Sequence, residues 1–261
     1  MPQPSSFKAI GTPVIELQSV DSTNIYALNK VHAGLAQHGM AIFAHEQVAG
    51  KGQRGKSWVS EKGKAINLSV IIKPHSLNIS GQFQLSACTA VAIHDFFRHY
   101  AGDETTIKWP NDLYWQDRKA GGILIENVVV SRESGPDSYR EGSWEWAIVG
   151  IGININQTTF PPELQNPVSL KQITGNTFDT LELAKDLLNK LNSLYHQLIN
   201  NGFENIYDEY LLHLYKKNET VKLKKGNRVF GALIKTVTPS GQLIIQHAIE
   251  ESIEYGNVEW M

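Results

Sequence analysis

The spacing of apolar positions changes several times along the chain, and each change marks a new element. Val14–Val20 reads as a short strand, and Asp21-Ser22-Thr23-Asn24 then supplies N-cap residue types for a helix running to about Ala33, where Gly34 stops it. Met40–Ala44 and Ala65–Ile72 read as strands, and between them lies a basic glycine octet, Gly50–Ser57. Leu85, Cys88, Ala92 and Phe96 fall on one face of a helix over Gln82–Tyr100. A meander follows, with strands near Thr106–Trp109, Leu113–Trp115, Ala120–Val130 and Trp144–Ile155, broken by turns at Pro110-Asn111-Asp112 and Gln116-Asp117-Arg118. The polar stretch Ser131–Gly142 contains Gly-Pro and is expected to form a mobile hairpin tip.

The second half has a different character. Phe160–Gly175 reads as loop, with prolines at 161, 162 and 167. Leu181–Ile199 carries leucine at 181, 183, 187, 188, 191, 194 and 198, an amphipathic helix with a wide apolar stripe, and Phe203–Leu214 predicts a second helix. From Glu219 onward only short strands and turns are expected, Val221–Leu223, Phe230–Val237 and Leu243–Gln246 among them, as in a separate small barrel. The expected division is therefore 1–215 and 216–261.

Composition narrows the class. With 261 residues, 41% hydrophobic and 19% charged, the chain has the profile of a globular protein, and its formal charge of −2 gives no global attraction to DNA or an anionic membrane. Phosphate recognition must then be local. No apolar run approaches membrane-spanning length, and Met1–Lys8 lacks the hydrophobic region of a signal peptide. The single cysteine, Cys88, lies on the apolar side of its helix as an inert core thiol, so a reduced, cytoplasmic protein is expected.

Gly50-Lys51-Gly52-Gln53-Arg54-Gly55-Lys56-Ser57 satisfies two nucleotide-binding spellings at once, the dinucleotide fingerprint and the P-loop. Both require a crossover helix immediately behind the glycines, and the few residues before the Ala65–Ile72 strand leave no room for one. The octet therefore reads as a strand-to-strand loop whose amides and cations suit an anion, or as a solvated hairpin. In Lys108-Trp109-Pro110-Asn111-Asp112, the lysine ends a strand. It either snorkels to solvent or points inward to neutralise two mutually repelling anions. Asn111 and Asp112 suit a nucleotide, Mg²⁺ or plain turn chemistry equally. In Gly150-Ile151-Gly152-Ile153-Asn154-Ile155-Asn156, one strand face lacks side chains. That makes either a floor for an apolar ring or a close packing contact, with Asn154 or Asn156 available to a base edge. Ser22-Thr23-Asn24 has helix capping as its ordinary role, and its hydroxyls can also bind a ligand's polar head.

Taken in order, these strings resemble the biotin–protein ligase family. Glu46–Trp58, Lys119–Glu126, Val149–Asn154 and the trailing Pro162-Glu163-Leu164 and Ser169-Leu170 complete the match, which covers roughly residues 14–261. The resemblance implies an α+β fold with a mixed or antiparallel central sheet, a class II synthetase-like core with packed helices, and a C-terminal SH3-like β-barrel. It implies a biotin–[acetyl-CoA-carboxylase] ligase that uses MgATP to make biotinyl-5′-AMP and then transfers biotin to a lysine of a biotin carboxyl carrier protein domain. Lys108 matches the catalytic lysine. Ser22, Thr23, Asn24, Gln47, Gly50, Lys51, Gly52, Gln53, Trp58, Leu113, Gly150 and Gly152 match biotin-binding positions, with Trp58, Leu113, Gly150 and Gly152 forming the apolar slot. Lys51, Arg54, Lys56, Asn111 and Asn154 match positions around ATP and the adenylate, Asn154 reading adenine. No resident metal is implied beyond the Mg²⁺ that travels with the nucleotide.

Two departures stand out. The family's loop usually reads Gly-Arg-Gly-Arg, whereas Lys51 and Gln53 occupy the arginine positions here, so Arg54 or Lys56 is expected to compensate for the lost charge. Some members also carry an N-terminal DNA-binding domain, and only about thirteen residues precede Val14, so no DNA partner is expected. The rival readings are a lipoate–protein ligase of the same superfamily and a non-catalytic biotin- or nucleotide-binding module. Either a monomer or a homodimer is compatible with the sequence.

Overall fold

A computed structural model describes residues 8–74, 77–131 and 142–261. The expected hairpin tip at 131–142 falls almost wholly outside the described residues. The first part of the chain builds a seven-stranded sheet from β1 (Val14–Leu17), β2 (Ala41–Ala44), β3 (Ala65–Ile72), β4 (Thr105–Lys108), β5 (Asp112–Trp115), β6 (Arg118–Ser131) and β7 (Gly142–Asn154). Their spatial order is β1-β2-β3-β7-β6-β5-β4. Only β1 and β2 run parallel; every other neighbour pair is antiparallel, so the sheet is mixed as expected.

Helices cover both faces. α1 (Thr23–His32) lies on β2, β3 and β7 over a small apolar cluster of Ala27, Met40, Ile42, Ile71 and Ile148. On the other face α2 (Gln82–Ala101) packs with α4 (Thr180–Asn201) and α5 (Glu204–Leu212) over the main core. The leucine stripe of α4 is spent on this contact: Leu183, Leu187, Leu188, Leu191 and Leu198 are all buried. Asp179 caps α4 with its carboxylate, accepting from the Leu181 and Glu182 amides. Cys88 is fully buried, and burial pushes its thiol up to about 12, the inert core thiol expected.

The stretch read as loop contains a short helix, α3 (Leu170–Thr174), opened by a capping box between Ser169 and Gln172. Pro161, Pro162 and Pro167 masked it, although the Ser-x-x-Gln spelling was present.

Beyond α5, five strands form a second, antiparallel sheet: β8 (Thr220–Lys225), β9 (Arg228–Val237), β10 (Leu243–Gln246), β11 (Glu250–Ile253) and β12 (Glu259–Trp260), in the order β11-β10-β9-β8-β12. Its apolar interior is continuous with the main core. Trp109 donates its indole N–H to the Gly241 carbonyl at 2.9 Å, and the Tyr207 hydroxyl donates to the Val237 carbonyl. The two sheets therefore share apolar packing.

Leu187→Ala is expected to lower unfolding free energy by about 2–5 kcal/mol, because a fully buried leucine leaves a cavity between α4 and the sheet. Urea denaturation checks this as a reduced midpoint at unchanged slope.

Candidate active site

Strand register sets the site. Asn67 of β3 lies opposite Gly152 of β7, Gly152 opposite Gly122 of β6, Gly122 opposite Asp112 of β5, and Asp112 opposite Lys108 of β4. Residues directly opposite in a ladder share a face, so these five form one row across the sheet. Four inter-strand steps of about 4.8 Å make the row roughly 19 Å long. By strand alternation Ser69, Gly150 and Asn154 belong to the same face, which is the face carrying α1.

The glycine octet folds over one end of this row. It is a small hairpin: the Trp58 amide donates to the Gly50 carbonyl at 2.9 Å, Lys51 bridges to Ser57, and the Gly52 amide donates to the Lys56 carbonyl at 2.7 Å. A single 3-10 turn at Gln53–Gly55 makes its tip, and no helix follows it, which excludes both nucleotide-motif readings. Beneath the hairpin opens a cleft of about 660 Å³, lined by Gln47, Gly50–Gly52, Arg54–Val59, Leu124 and Glu126.

Trp58 closes the floor of that cleft. A Cβ on Gly152 would lie 2.6 Å from the indole, so the ring rests directly on the bare strand. A Cβ on Gly150 would lie 2.4 Å from Asn24 Oδ1. The side-chain-free face is thus occupied by the chain's own Trp58 and Asn24, the close-packing alternative of the two open from sequence.

Behind them is a buried polar network. The Asn67 side-chain oxygen accepts from Trp58 Nε1 at 2.9 Å, Ser60 Oγ at 3.3 Å and Gln47 Nε2 at 3.4 Å. Gln47 Oε1 accepts from the Thr23 amide at 2.8 Å and the Thr23 hydroxyl at 3.1 Å. Ser69 Oγ lies 2.7 Å from Thr23 Oγ1 and donates to Asn24 Oδ1 at 2.6 Å, while Asn24 Nδ2 donates to Glu126 at 2.7 Å. Ser22 occupies the N-cap position without making a side-chain cap bond, and Gln47 takes the first free helix amide instead. The capping role expected of the trio is therefore supplied from outside it. Asn67 and Ser69 were missed from sequence. Two polar residues at alternate positions of an otherwise apolar strand were the available signal.

At the far end of the row stands Lys108. Its ammonium donates to the Tyr114 hydroxyl at 3.0 Å and lies over the rings of Tyr114, Trp260 and Tyr215 at 4.5, 4.8 and 5.5 Å. Burial pushes its pKa down to about 8; Asp112 pulls it up, while Lys119 and Lys56 push it down. The neighbouring carboxylates are already engaged, Asp112 by Lys119 at 2.6 Å and Asp117 by Lys216 at 3.1 Å. Lys108 therefore points inward, the second of its two open readings.

Other expected site residues fall less simply. Leu113 faces the opposite side of the sheet, lining a void of about 10 Å³ with Ala90 and Ile93 of α2 as part of the main core. It does not line the cleft, because it alternates with Asp112 and Tyr114 along β5. Arg54, expected at an adenylate phosphate, instead lies over the Tyr255 ring at 5.3 Å and packs against Gly256, where a Cβ would clash with its guanidinium. Gln53 donates its amide to the Ile123 carbonyl at 3.2 Å, tying the hairpin tip to β6. Asn111 donates to that same carbonyl. Asn154 is on the site face but spends its amide N–H on the Val168 carbonyl at 3.2 Å. Asn156 is used twice by Phe178, once as donor and once as acceptor, so both ends of its amide are already engaged. Lys51 and Lys56 line the cleft. Among the described residues no group of three or more His, Cys, Asp or Glu side chains could hold a metal, and no helix is long and apolar enough to cross a membrane.

Gly152→Ala is expected to lift Trp58 from the sheet, costing about 1–3 kcal/mol of stability by overpacking. Val59→Ala, at an exposed rim position, should change stability by no more than about 0.5 kcal/mol. Paired urea unfolding curves check both.

Known proteins with this architecture were found by three comparisons. A model of the biotin/lipoate A/B protein ligase family matches residues 16–134. A biotin–[acetyl-CoA-carboxylase] ligase of Paracoccus denitrificans is 30% identical over 236 residues, 88% of this chain and 92% of that one. A bifunctional ligase/repressor BirA of Bacillus spizizenii is 31% identical over 189 residues, 71% of this chain and 55% of that one. The chain spans about half the length of the two Bacillus relatives, 55% and 49%. In fold it is similar to a biotin protein ligase from Aquifex aeolicus in complex with biotin and ATP, with a TM-score of 0.76, 24% identity, and coverage of 95% of this chain and 98% of that one. The chain belongs to the biotin–protein ligase family.

Proposed function

We propose that this family member is an ATP-dependent ligase that activates biotin and transfers it to a lysine of a biotin carboxyl carrier protein domain. One observation carries the reading: a single row on one sheet face runs from the Gln47–Thr23–Asn67 network beneath the glycine hairpin to a half-buried, uncompensated lysine. Such a row has a polar reader at one end, an apolar floor in the middle and a cation at the other. The names of the Paracoccus and Aquifex proteins support the same assignment.

In the first step a biotin carboxylate oxygen attacks the α-phosphorus of ATP. The bond to pyrophosphate breaks, and pyrophosphate leaves with its electron pair. Two anions must meet, and Lys108 neutralises the charge that develops between them. Because its neighbouring carboxylates are paired elsewhere, its charge is not spent on the protein. In the second step the neutral ε-amine of the carrier lysine attacks the acyl carbon of biotinyl-5′-AMP, AMP departs, and the amine gives up a proton. Ser22, Thr23, Asn24 and Gln47 hold the polar end of biotin and the Trp58 ring lies against its apolar body, while Gly150 and Gly152 leave the space that Asn24 and Trp58 themselves fill. Gly50, Lys51, Gly52, Gln53, Arg54 and Lys56 form the cover that keeps water from the mixed anhydride. Asn154 and Asn111 are assigned to the nucleotide, although their amide N–H groups are spent on the Val168 and Ile123 carbonyls. Mg²⁺ would arrive with the ATP phosphates and would disperse their charge there; the row's own carboxylate, Asp112, is already paired with Lys119.

We also assign residues 1–215 to the catalytic unit and 216–261 to the C-terminal unit, since the second sheet begins at Thr220. A cytoplasmic site of action fits a chain whose single cysteine is a buried thiol.

Biotin-dependent pyrophosphate release from ATP tests the reading. Lys108→Ala should slow it about 10²–10³-fold, the cost of removing one preorganised donor. If wild type responds to lipoate and not to biotin, the assignment falls. Wild-type adenylation should fall as pH rises through about 8, because Lys108 loses its charge there. Arg54→Ala should release biotinyl-5′-AMP into solution severalfold faster, because its contact with Tyr255, about 0.5–2 kcal/mol for a cation on a ring, holds the hairpin down. Filtration of the mixture and quantification of free adenylate decide this.

A further inference from the structure

Lys108 is held by aromatic rings that come from three separate parts of the chain. Tyr114 stands two residues beyond Asp112 on β5 and so faces the same side as the lysine. Tyr215 arrives because the chain after α5 runs alongside β4: the Ile107 amide donates to the His213 carbonyl at 2.8 Å, and the Tyr215 amide donates to the Ile107 carbonyl at 2.9 Å. Trp260 comes from the end of the chain, where β12 pairs with β8 by setting Trp260 opposite Leu223. The Tyr215 and Trp260 rings are themselves in contact, with centroids 5.9 Å apart, as are Tyr114 and Tyr215 at 5.0 Å. The indole N–H of Trp260 is buried without a hydrogen-bond partner, so no side-chain hydrogen bond holds the ring in place.

We propose that Trp260, with Tyr215, is a positioning residue for the adenylation step, closing an aromatic cage that shields the Lys108 ammonium from water without giving it an ion pair. The proposal rests on Lys108 acting at the carboxylate–phosphate encounter. Ring faces attract a cation without neutralising it, unlike a carboxylate. The charged groups near the ammonium come from every neighbouring element: Asp112 on β5, Asp117 in the following turn, Lys119 on β6 and Lys56 in the glycine hairpin. Asp112 and Asp117 are held off by their own lysine partners, and the Tyr215 hydroxyl donates to Asp117 at 2.7 Å, tying the cage ring to that arrangement. The last strand of the C-terminal sheet thereby acts on chemistry performed in the first sheet.

The test compares wild type with Trp260→Ala and Trp260→Phe in the full-length chain. Two readouts are used: Lys108 titration by competitive acylation with mass-spectrometric detection, and kcat and biotin KM for pyrophosphate release as a function of pH. Trp260→Ala should admit water and move the Lys108 titration and the alkaline limb up from about 8 toward the free-lysine range. It should also lower kcat about ten- to a hundredfold, the scale of a misplaced reacting group, with biotin KM nearly unchanged. Trp260→Phe, which keeps a ring, should restore most of both. The cage is overturned if Lys108 titrates identically in Trp260→Ala and wild type, or if Trp260→Phe is as impaired as Trp260→Ala. Should Trp260→Ala fail to fold, Trp260→Leu keeps the apolar volume without the ring, and wild-type kcat in that variant overturns the cage instead. Absence of biotin-dependent pyrophosphate release from wild type overturns the ligase reading, while the acylation readout still decides the cage.

Discussion

The close approach of Trp58 to the backbone at Gly152 is the contact on which the site depends. An indole can lie 2.6 Å from where a Cβ would stand only if no Cβ is there, so the glycine spacing of β7 and the glycine hairpin are two halves of one device. Fixing the ring also fixes the hairpin, because the Trp58 amide and indole both have partners: the Gly50 carbonyl and the buried Asn67 side chain. Asn67 in turn orients Gln47, whose other atom holds the start of α1. A fully satisfied buried amide of this kind is costly to disturb, since removing one partner leaves the others desolvated and unpaired.

At the other end of the row the governing term is charge. The site face carries Lys108, Lys119 and Asp112, with Lys51, Arg54 and Lys56 in the hairpin above the sheet. The structure pairs the carboxylate with Lys119 and leaves Lys108 to the aromatic rings. Taking an ammonium out of water without a counter-ion is unfavourable, and its depressed pKa expresses that cost. On the proposed mechanism an approaching pair of anions would recover it, which is the energetic sense in which the site would be preorganised. Arg54 follows the same logic differently. Its cation rests on Tyr255 and Gly256, so its charge holds the hairpin against the turn between β11 and β12.

The sheet, its helices and the loop character of the octet were legible because each rests on local periodicity or on the absence of room for a helix. The family spelling marks positions along the chain but does not give their orientations. Leu113 illustrates the limit: the string containing it matches, yet alternation along β5 turns it toward α2. Asn67 and Ser69 were hidden because a buried polar strand position looks, in one dimension, like a tolerated exception in an apolar run. β11, with three polar residues in four, and the two-residue β12 gave no apolar pattern, and Trp260 went unremarked with them. The cage around Lys108 depends on residues separated by more than a hundred positions, which no local window brings together.

Those long-range contacts tie the glycine hairpin and the Lys108 strand end to the C-terminal part of the chain. Trp109, next to Lys108, donates to the Gly241 carbonyl and packs edge-on against Tyr255, with centroids 6.0 Å apart; Tyr255 in turn lies under Arg54. One chain of contacts therefore runs from the hairpin tip through Tyr255 to the strand end that bears the lysine. A sheet attached by a flexible tether would gain nothing from such contacts, whereas one sharing the main core holds both cations at fixed positions. The second sheet then has a mechanical role: it is the wall against which the hairpin packs and the lysine is held.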